Sequence, residues 1–272
     1  MRRVLTALVG IPILLGAIWW GTPWLTILLA LPAILGIREF YRLFDSPDDA
    51  LPITLGGLWC LAFLVGGETA ADLIALLTTS LGILVVGAFI SSLWLIAFYH
   101  GRQVLRASTY LILGPIYIGF LLAHVLALRG IGVDGELGRN WLLFALLVTF
   151  STDTGAFLVG RTLGRHQMAP QVSPGKTWEG AAGGFILAII TSMVLGQILD
   201  LGLPRWQQGL IGATVGVVSQ LGDLAESKLK RISRVKDTGS IIPGHGGILD
   251  RLDSLVFAIP SVYYLLTLVF KP

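Results

Sequence analysis

Nine apolar runs dominate this chain, at residues 4–20, 24–44, 51–65, 72–99, 108–128, 141–160, 180–199, 207–224 and 255–270. A helix rising 1.5 Å per residue needs about 20 residues to cross a ~30 Å hydrocarbon layer, and most of the runs approach that length. Lipid offers no partners for backbone N–H and C=O groups, so segments of this kind fold as helices. Only 13% of the residues are charged, against about 25% in soluble domains, and the mean hydropathy is +0.81. The expected fold is all-α: a polytopic membrane protein of about nine transmembrane helices. The runs 51–65 and 207–224 are short, and the run 72–99 is long enough to tilt or to break near residues 80–82. The segment Trp19-Trp20-Gly21-Thr22-Pro23 after the first run offers no small-x-small cleavage site, so that run is expected to stay as a membrane helix. The single cysteine, Cys60, excludes an internal disulfide.

Loop charge orients the helices. With the N-terminus cytoplasmic, the inner segments collect 15 of the 19 basic residues, and Arg129, Arg139, Arg205 and Lys271 fall outside. That bias is the positive-inside pattern. Polar chemistry is uneven along the chain. Residues 1–140 read as packing and lipid-contact helices with a possible oligomer contact, and residues 141–272 as the catalytic membrane region. A polar cavity open to the cytoplasm and to the bilayer is expected within the latter.

Asp153 lies inside an apolar run, where a carboxylate costs roughly 2.5–3.5 kcal/mol on insertion scales and marks function by default. An ion pair with Arg161 or Arg165 is the plainer alternative. Further on, Ser173-Pro174-Gly175-Lys176-Thr177-Trp178-Glu179-Gly180 places a lysine just before a helix start near Trp178, with Ser173 or Thr177 as the cap. Helix N-termini favour anions, and Lys176 stands where a phosphate would meet it. The element lacks the upstream glycine spacing of a P-loop, so an ordinary surface loop is the competing reading.

Between Lys228 and Lys236 lie five cations in nine residues (Lys228, Lys230, Arg231, Arg234, Lys236), with Arg251 beyond. Such a cluster would bind any polyanion. Asp237, Asp250 and Asp253 interrupt this basic group, Asp223 stands just before it, and carboxylates weaken a plain anion patch. They make sense where a hard divalent cation sits beside phosphate, because such ions take carboxylate oxygens. Capping or pairing with Lys230 remains an ordinary account of Asp223, and capping alone explains one of Asp250 and Asp253. His245, flanked by Gly244, Gly246 and Gly247, lies in a turn that lets backbone approach a ligand closely.

The pattern Ser227-x-Leu229-Lys230-Arg231-x4-Lys236-Asp237-x-Gly239-x2-Ile242-Pro243-x-His245-Gly246-Gly247-Ile248-x-Asp250-Arg251-Leu252-Asp253 resembles the signature of the phosphatidate cytidylyltransferase (CDP-diacylglycerol synthase) family, bacterial type. Family members also carry a Ser-Pro-x-Lys-Thr-x-Glu-Gly element, often with a lysine where this chain has Gly175. The resemblance implies transfer of the cytidylyl group of CTP to phosphatidate, giving CDP-diacylglycerol and pyrophosphate in phospholipid biosynthesis. It implies catalytic roles for Asp223, Asp250, Lys176, His245 and Asp153. Substrate would meet Ser173, Lys176, Ser227, Lys230, Arg231, Lys236, Asp237, Gly246, Gly247 and Arg251. Asp223, Asp250, Asp253 and Asp153 would hold Mg²⁺, with a second, monovalent cation possible. The expected setting is the cell inner membrane with a cytoplasmic site, the expected assembly a homo-oligomer, and no nucleic acid is a partner. A CTP-dependent lipid-alcohol kinase and a cation-coupled transporter are the alternatives. The transporter does not require a cytoplasmic block of cations beside helix-opening carboxylates.

Overall fold

The computed structural model describes residues 2–44, 52–98, 104–132, 135–239 and 246–270, with side chains from residue 8 onward. The chain forms two compact units. One comprises residues 1–130 with 237–250, the other residues 131–236 with 251–272.

The first unit is helical: α1 (Arg2–Trp20), α2 (Trp24–Phe44), α3 (Ile53–Thr69), α4 (Leu73–Phe98), α5 (Val104–Pro115) and α6 (Leu121–Arg129). A π-helical turn, Ile116–Phe120, joins α5 to α6. It follows Pro115, whose nitrogen has no hydrogen to give the helical ladder, which widens the ladder at that point. Helix α3 packs against α2, α4 and α6, around Trp59, Phe63 and Ala123. The buried Tyr41 hydroxyl donates to the Leu111 carbonyl at 3.0 Å, so its burial leaves no unpaired donor. Helix α4 runs unbroken through residues 80–82, where the sequence allowed a break. Ser80 is buried there and Gly82 stays within the helix, so nothing interrupts the ladder.

The second unit begins with α7 (Glu136–Leu163), followed by a hairpin of β1 (Gln167–Ala169) and β2 (Ser173–Thr177). Then come α8 (Trp178–Ile198), α9 (Arg205–Ile232), α11 (Leu255–Tyr264) and a π-helical turn, Leu265–Phe270, while the single turn α10 (Leu249–Leu252) begins with Leu249 and Asp250 of the first unit. Helix α8 packs between α7 and α9, and α11 leans on α9 and α7. Small residues allow this closeness, as they do where helices associate without a hydrophobic drive. A Cβ on Gly184 of α8 would lie 2.7 Å from the Thr152 carbonyl oxygen of α7.

Among the described residues, five helical stretches are long and apolar enough to cross a membrane: Trp24–Phe44, Leu73–Phe98, Val104–Arg129, Glu136–Leu163 and Trp178–Ile198. Leu8–Trp20, Ile53–Thr69 and Leu255–Phe270 are shorter apolar helices. The fold is that of an all-α polytopic membrane protein. The predicted short run 207–224 is the apolar part of a 28-residue helix, α9, whose last third is charged. That polar extension carries the chemistry described next.

Candidate active site

The loop that closes the second unit's cavity is laced onto its own helix. Thr177 caps α8, its hydroxyl accepting from Gly180 N at 3.1 Å. The cap satisfies one of the donors a helix start leaves open. Glu179, in the first turn, accepts from Arg165 N at 3.1 Å and His166 N at 3.2 Å, and meets His166 Nδ1 at 2.6 Å. Trp178 N donates to the His166 carbonyl at 2.9 Å. These bonds hold β1 against β2 in antiparallel register, Gln167 facing Thr177 and Ala169 facing Ser173. They also fix where Lys176 emerges.

Lys176 Nζ lies 2.6 Å from Asp223 Oδ2, an ion pair with each side chain less than a third exposed. The pair lies on the wall of a cavity of about 210 Å³, which is also lined by Asp153, Phe157, Thr177 and Gln220. Gln220 Nε2 donates to the Gly216 and Ala181 carbonyls at 2.6 and 3.2 Å, which locks that side chain onto α8 and α9.

Beside Asp223 the structure gathers two more carboxylates. Glu226 follows one turn along α9, and Asp253 comes from the turn before α11. One oxygen from each of Asp223, Glu226 and Asp253 lies within 4.8 Å of the others. Gly222 permits this, because a Cβ there would lie 2.6 Å from the Asp253 carbonyl oxygen. Burial, and then the Asp223 charge, pushes Asp253 up to about 7. Glu226 is 1% exposed and pairs with Lys230 Nζ at 2.7 Å. Hard divalent cations bind oxygens at about 2.0–2.6 Å, so neighbouring ligands around one ion stand about 3–4 Å apart. The triad fits such an ion in donor type and in spread. Softer metals, which favour thiolate or imidazole, would find neither here.

The remaining expected residues distribute as follows. Asp153 lines the cavity. Ser227 Oγ reaches Asp223 Oδ1 at 3.4 Å. Arg231 donates to the Val172 and Val235 carbonyls at 3.1 and 3.3 Å, tying the hairpin turn to the end of α9. Ser173 is half-buried in β2, and Lys236, Asp237 and Arg251 are exposed. The alternatives weighed for Asp223 and Lys230 resolve differently from the sequence reading, since Asp223 pairs with Lys176 and Lys230 with Glu226.

In the first unit, Asp250 Oδ2 accepts from Thr238 N, Thr238 Oγ1 and Gly247 N at 3.1, 3.1 and 2.8 Å. Gly246 takes a left-handed φ of +86°, and a Cβ there would lie 2.8 Å from Asp250 Oδ2. His245 lies outside the described residues.

Three structural participants were not singled out from the sequence: Glu39, Glu226 and Gln220. Glu39 carried the signal that picked out Asp153, a carboxylate inside an apolar run. Glu226 was hidden by its spacing from Lys230, which reads as an ordinary surface pair on a helix. Gln220 carries no charge, and nothing in the pattern marked it.

Residues 1–269 of the 272 match the cytidylyltransferase family. It is 32% identical to the phosphatidate cytidylyltransferase of Staphylococcus haemolyticus over 97% of this chain and 98% of that one. The phosphatidate cytidylyltransferase of Brucella suis is 34% identical over 96% and 91% of the two chains. That of Bacillus subtilis is 42% identical over 58% of each. With relatives aligned nearly end to end, and the acid-lined cavity inside the aligned region, the chain belongs to the cytidylyltransferase family.

Proposed function

We propose that this enzyme transfers the cytidylyl group of CTP to phosphatidate, releasing pyrophosphate and leaving CDP-diacylglycerol in the membrane. A phosphatidate phosphate oxygen forms a bond to the α-phosphorus of CTP, and the bond from that phosphorus to the α–β bridging oxygen breaks. A phosphate monoester is already ionised near neutral pH, so the reaction needs no strong general base, and positioning and charge stabilisation carry the rate. The observation that carries this reading is the Lys176–Asp223 pair on the cavity wall beside the Asp223–Glu226–Asp253 triad. A cation next to clustered carboxylates suits a polyphosphate that arrives with a metal ion, and relatives of near-equal length bear the name of this activity.

Asp223 and Asp253, with Glu226 beside them, would hold Mg²⁺. That ion, when bound, neutralises charge building up on phosphate oxygens. Lys176 exchanges Asp223 for a phosphate oxygen as substrate binds. Asp153 stays at the cavity wall, where it tunes the charge of the site or holds a monovalent cation. Asp250, His245 and the exposed Lys236 and Arg251 keep the roles the signature assigns them. The inward bias of the basic residues supports a site on the cytoplasmic face of the inner membrane, where CTP is found, and in this reading the enzyme works as a homo-oligomer. Purified protein given phosphatidate, Mg²⁺ and CTP labelled at the α or the γ phosphorus tests the assignment. Label from α-labelled CTP in the lipid, with pyrophosphate released, is the expected result. Lipid labelled only from γ-labelled CTP would instead make the protein a kinase.

A further inference from the structure

We propose that Glu39 is a positioning residue for Asp250, acting through Thr238. Glu39 lies in α2, a helix of membrane length, and is 3% exposed. A carboxylate so placed carries a desolvation cost unless donors meet it. The donors come from about 200 residues downstream. Thr238 Oγ1 and Leu249 N both reach Glu39 Oε2 at 3.1 Å.

The same Thr238 hydroxyl lies 3.1 Å from Asp250 Oδ2, so its single hydrogen is shared between the two carboxylates. Two glycines close around Glu39 as well. A Cβ on Gly239 would stand 2.5 Å from Glu39 Oε1, and one on Gly247 would stand 2.5 Å from Oε2. Gly247 N is also a donor to Asp250. Gly239 and Gly247 therefore both lie against one carboxylate, and Thr238, which donates to Glu39, also orients Asp250. An apolar side chain of similar size would fill the space but would leave Leu249 N and the Thr238 hydroxyl without this acceptor. The inference rests on the reading of Asp250 as a carboxylate of the reaction centre.

The test uses the full chain, purified in a membrane mimic, with Glu39→Leu, Glu39→Gln and Thr238→Val beside Asp250→Asn as reference. Two quantities are read: Mn²⁺ affinity without nucleotide, by electron paramagnetic resonance, and the Mg²⁺ concentration giving half the maximal rate. Partners that orient a metal-binding carboxylate typically contribute 10–100-fold to affinity, so Glu39→Leu and Thr238→Val should each shift both quantities by about tenfold or more. The KM for CTP and for phosphatidate should stay within about threefold, because neither residue meets substrate on this account. Glu39→Gln keeps an oxygen for Leu249 N and should recover most of the loss. If Glu39→Leu does not insert into the membrane, Thr238→Val decides. Wild-type Mn²⁺ affinity in Thr238→Val, with Asp250→Asn impaired, overturns the positioning role and leaves the reading of Asp250 standing. An unimpaired Asp250→Asn removes that reading itself, a distinguishable failure.

Discussion

The Lys176 ammonium sits 2.6 Å from one oxygen of Asp223, and Asp223 also contributes to the Asp223–Glu226–Asp253 triad. With a metal ion bound as proposed, lysine and that cation would compete for one carboxylate. Removing the lysine should help the metal and harm the reaction. Lys176→Ala should bind Mn²⁺ up to about fivefold more tightly, since a pairing worth roughly 1 kcal/mol at a partly exposed site is lost. Its kcat should nevertheless fall by more than about tenfold, a barrier increase of ~1.4 kcal/mol, because a phosphate loses its partner. Asp223→Asn should lose both metal affinity and turnover. A Lys176→Ala enzyme with weakened Mn²⁺ binding and normal turnover would contradict the competition.

Glu226 and Lys230 form a pair with 1% and 13% of their side chains exposed. Breaking a buried pair from one side typically costs 3–5 kcal/mol, since the remaining charge is left uncompensated. Lys230→Met should therefore lower the melting temperature of the metal-free protein markedly, and Glu226→Gln added to it should restore most of the loss. Unfolding of the purified single and double variants, followed by thermal fluorescence, checks this. Equal melting temperatures for Lys230→Met and wild type would show the pair to be dispensable.

Burial and the Asp223 charge raise Asp253 to about 7, above the ~3.9 of an unfolded aspartate. The folded state thus favours the protonated form. This contribution to stability is complete below about pH 4 and is lost as pH rises through 7. Without metal, the Asp253-dependent part of the melting temperature should decline over that window, and Asp253→Asn should flatten the decline. A Mg²⁺ ion held by Asp253 would compete with the proton, so it should raise the melting temperature more at pH 8 than at pH 6. A Mg²⁺ effect independent of pH between these values would exclude Asp253 from the metal site.

Gly175 sits in β2, and a Cβ added there meets nothing within 4 Å. Gly175→Cys in a Cys60→Ala background should therefore fold normally. If the hairpin is cytoplasmic, this cysteine should resist an impermeant thiol reagent in intact cells and react in inverted vesicles. Labelling of intact cells would place the cavity on the face that lacks CTP.

Hydropathy alone exposed most of this fold, because a bilayer forces apolar runs into helices and leaves few alternatives. It failed where polarity and helicity part company. The charged last third of α9 lies beyond the apolar run, so hydropathy ended the segment at residue 224, although its alanine, leucine, glutamate, lysine and arginine residues favour the helix that continues to Ile232. The strand at Ser173–Thr177 contains a proline and a glycine, poor strand formers, and is held by the bonds of Glu179 rather than by propensity. Lys176 and Asp223 stood out as charges without an obvious local purpose. Their meeting across 47 positions could come only from the packing of α8 against α9.

The β1–β2 hairpin has a bearing on how a lipid is handled. Its strands answer each other's backbone groups, and Arg231 occupies the Val172 carbonyl at its turn. A loop bonded in this way asks little of the surrounding water. It can lie at the headgroup level with its paired backbone groups already answered. If the hairpin lies at that depth, a two-tailed substrate would reach Lys176 by moving sideways with its acyl chains still in the bilayer, by diffusion within a leaflet rather than by extraction from it.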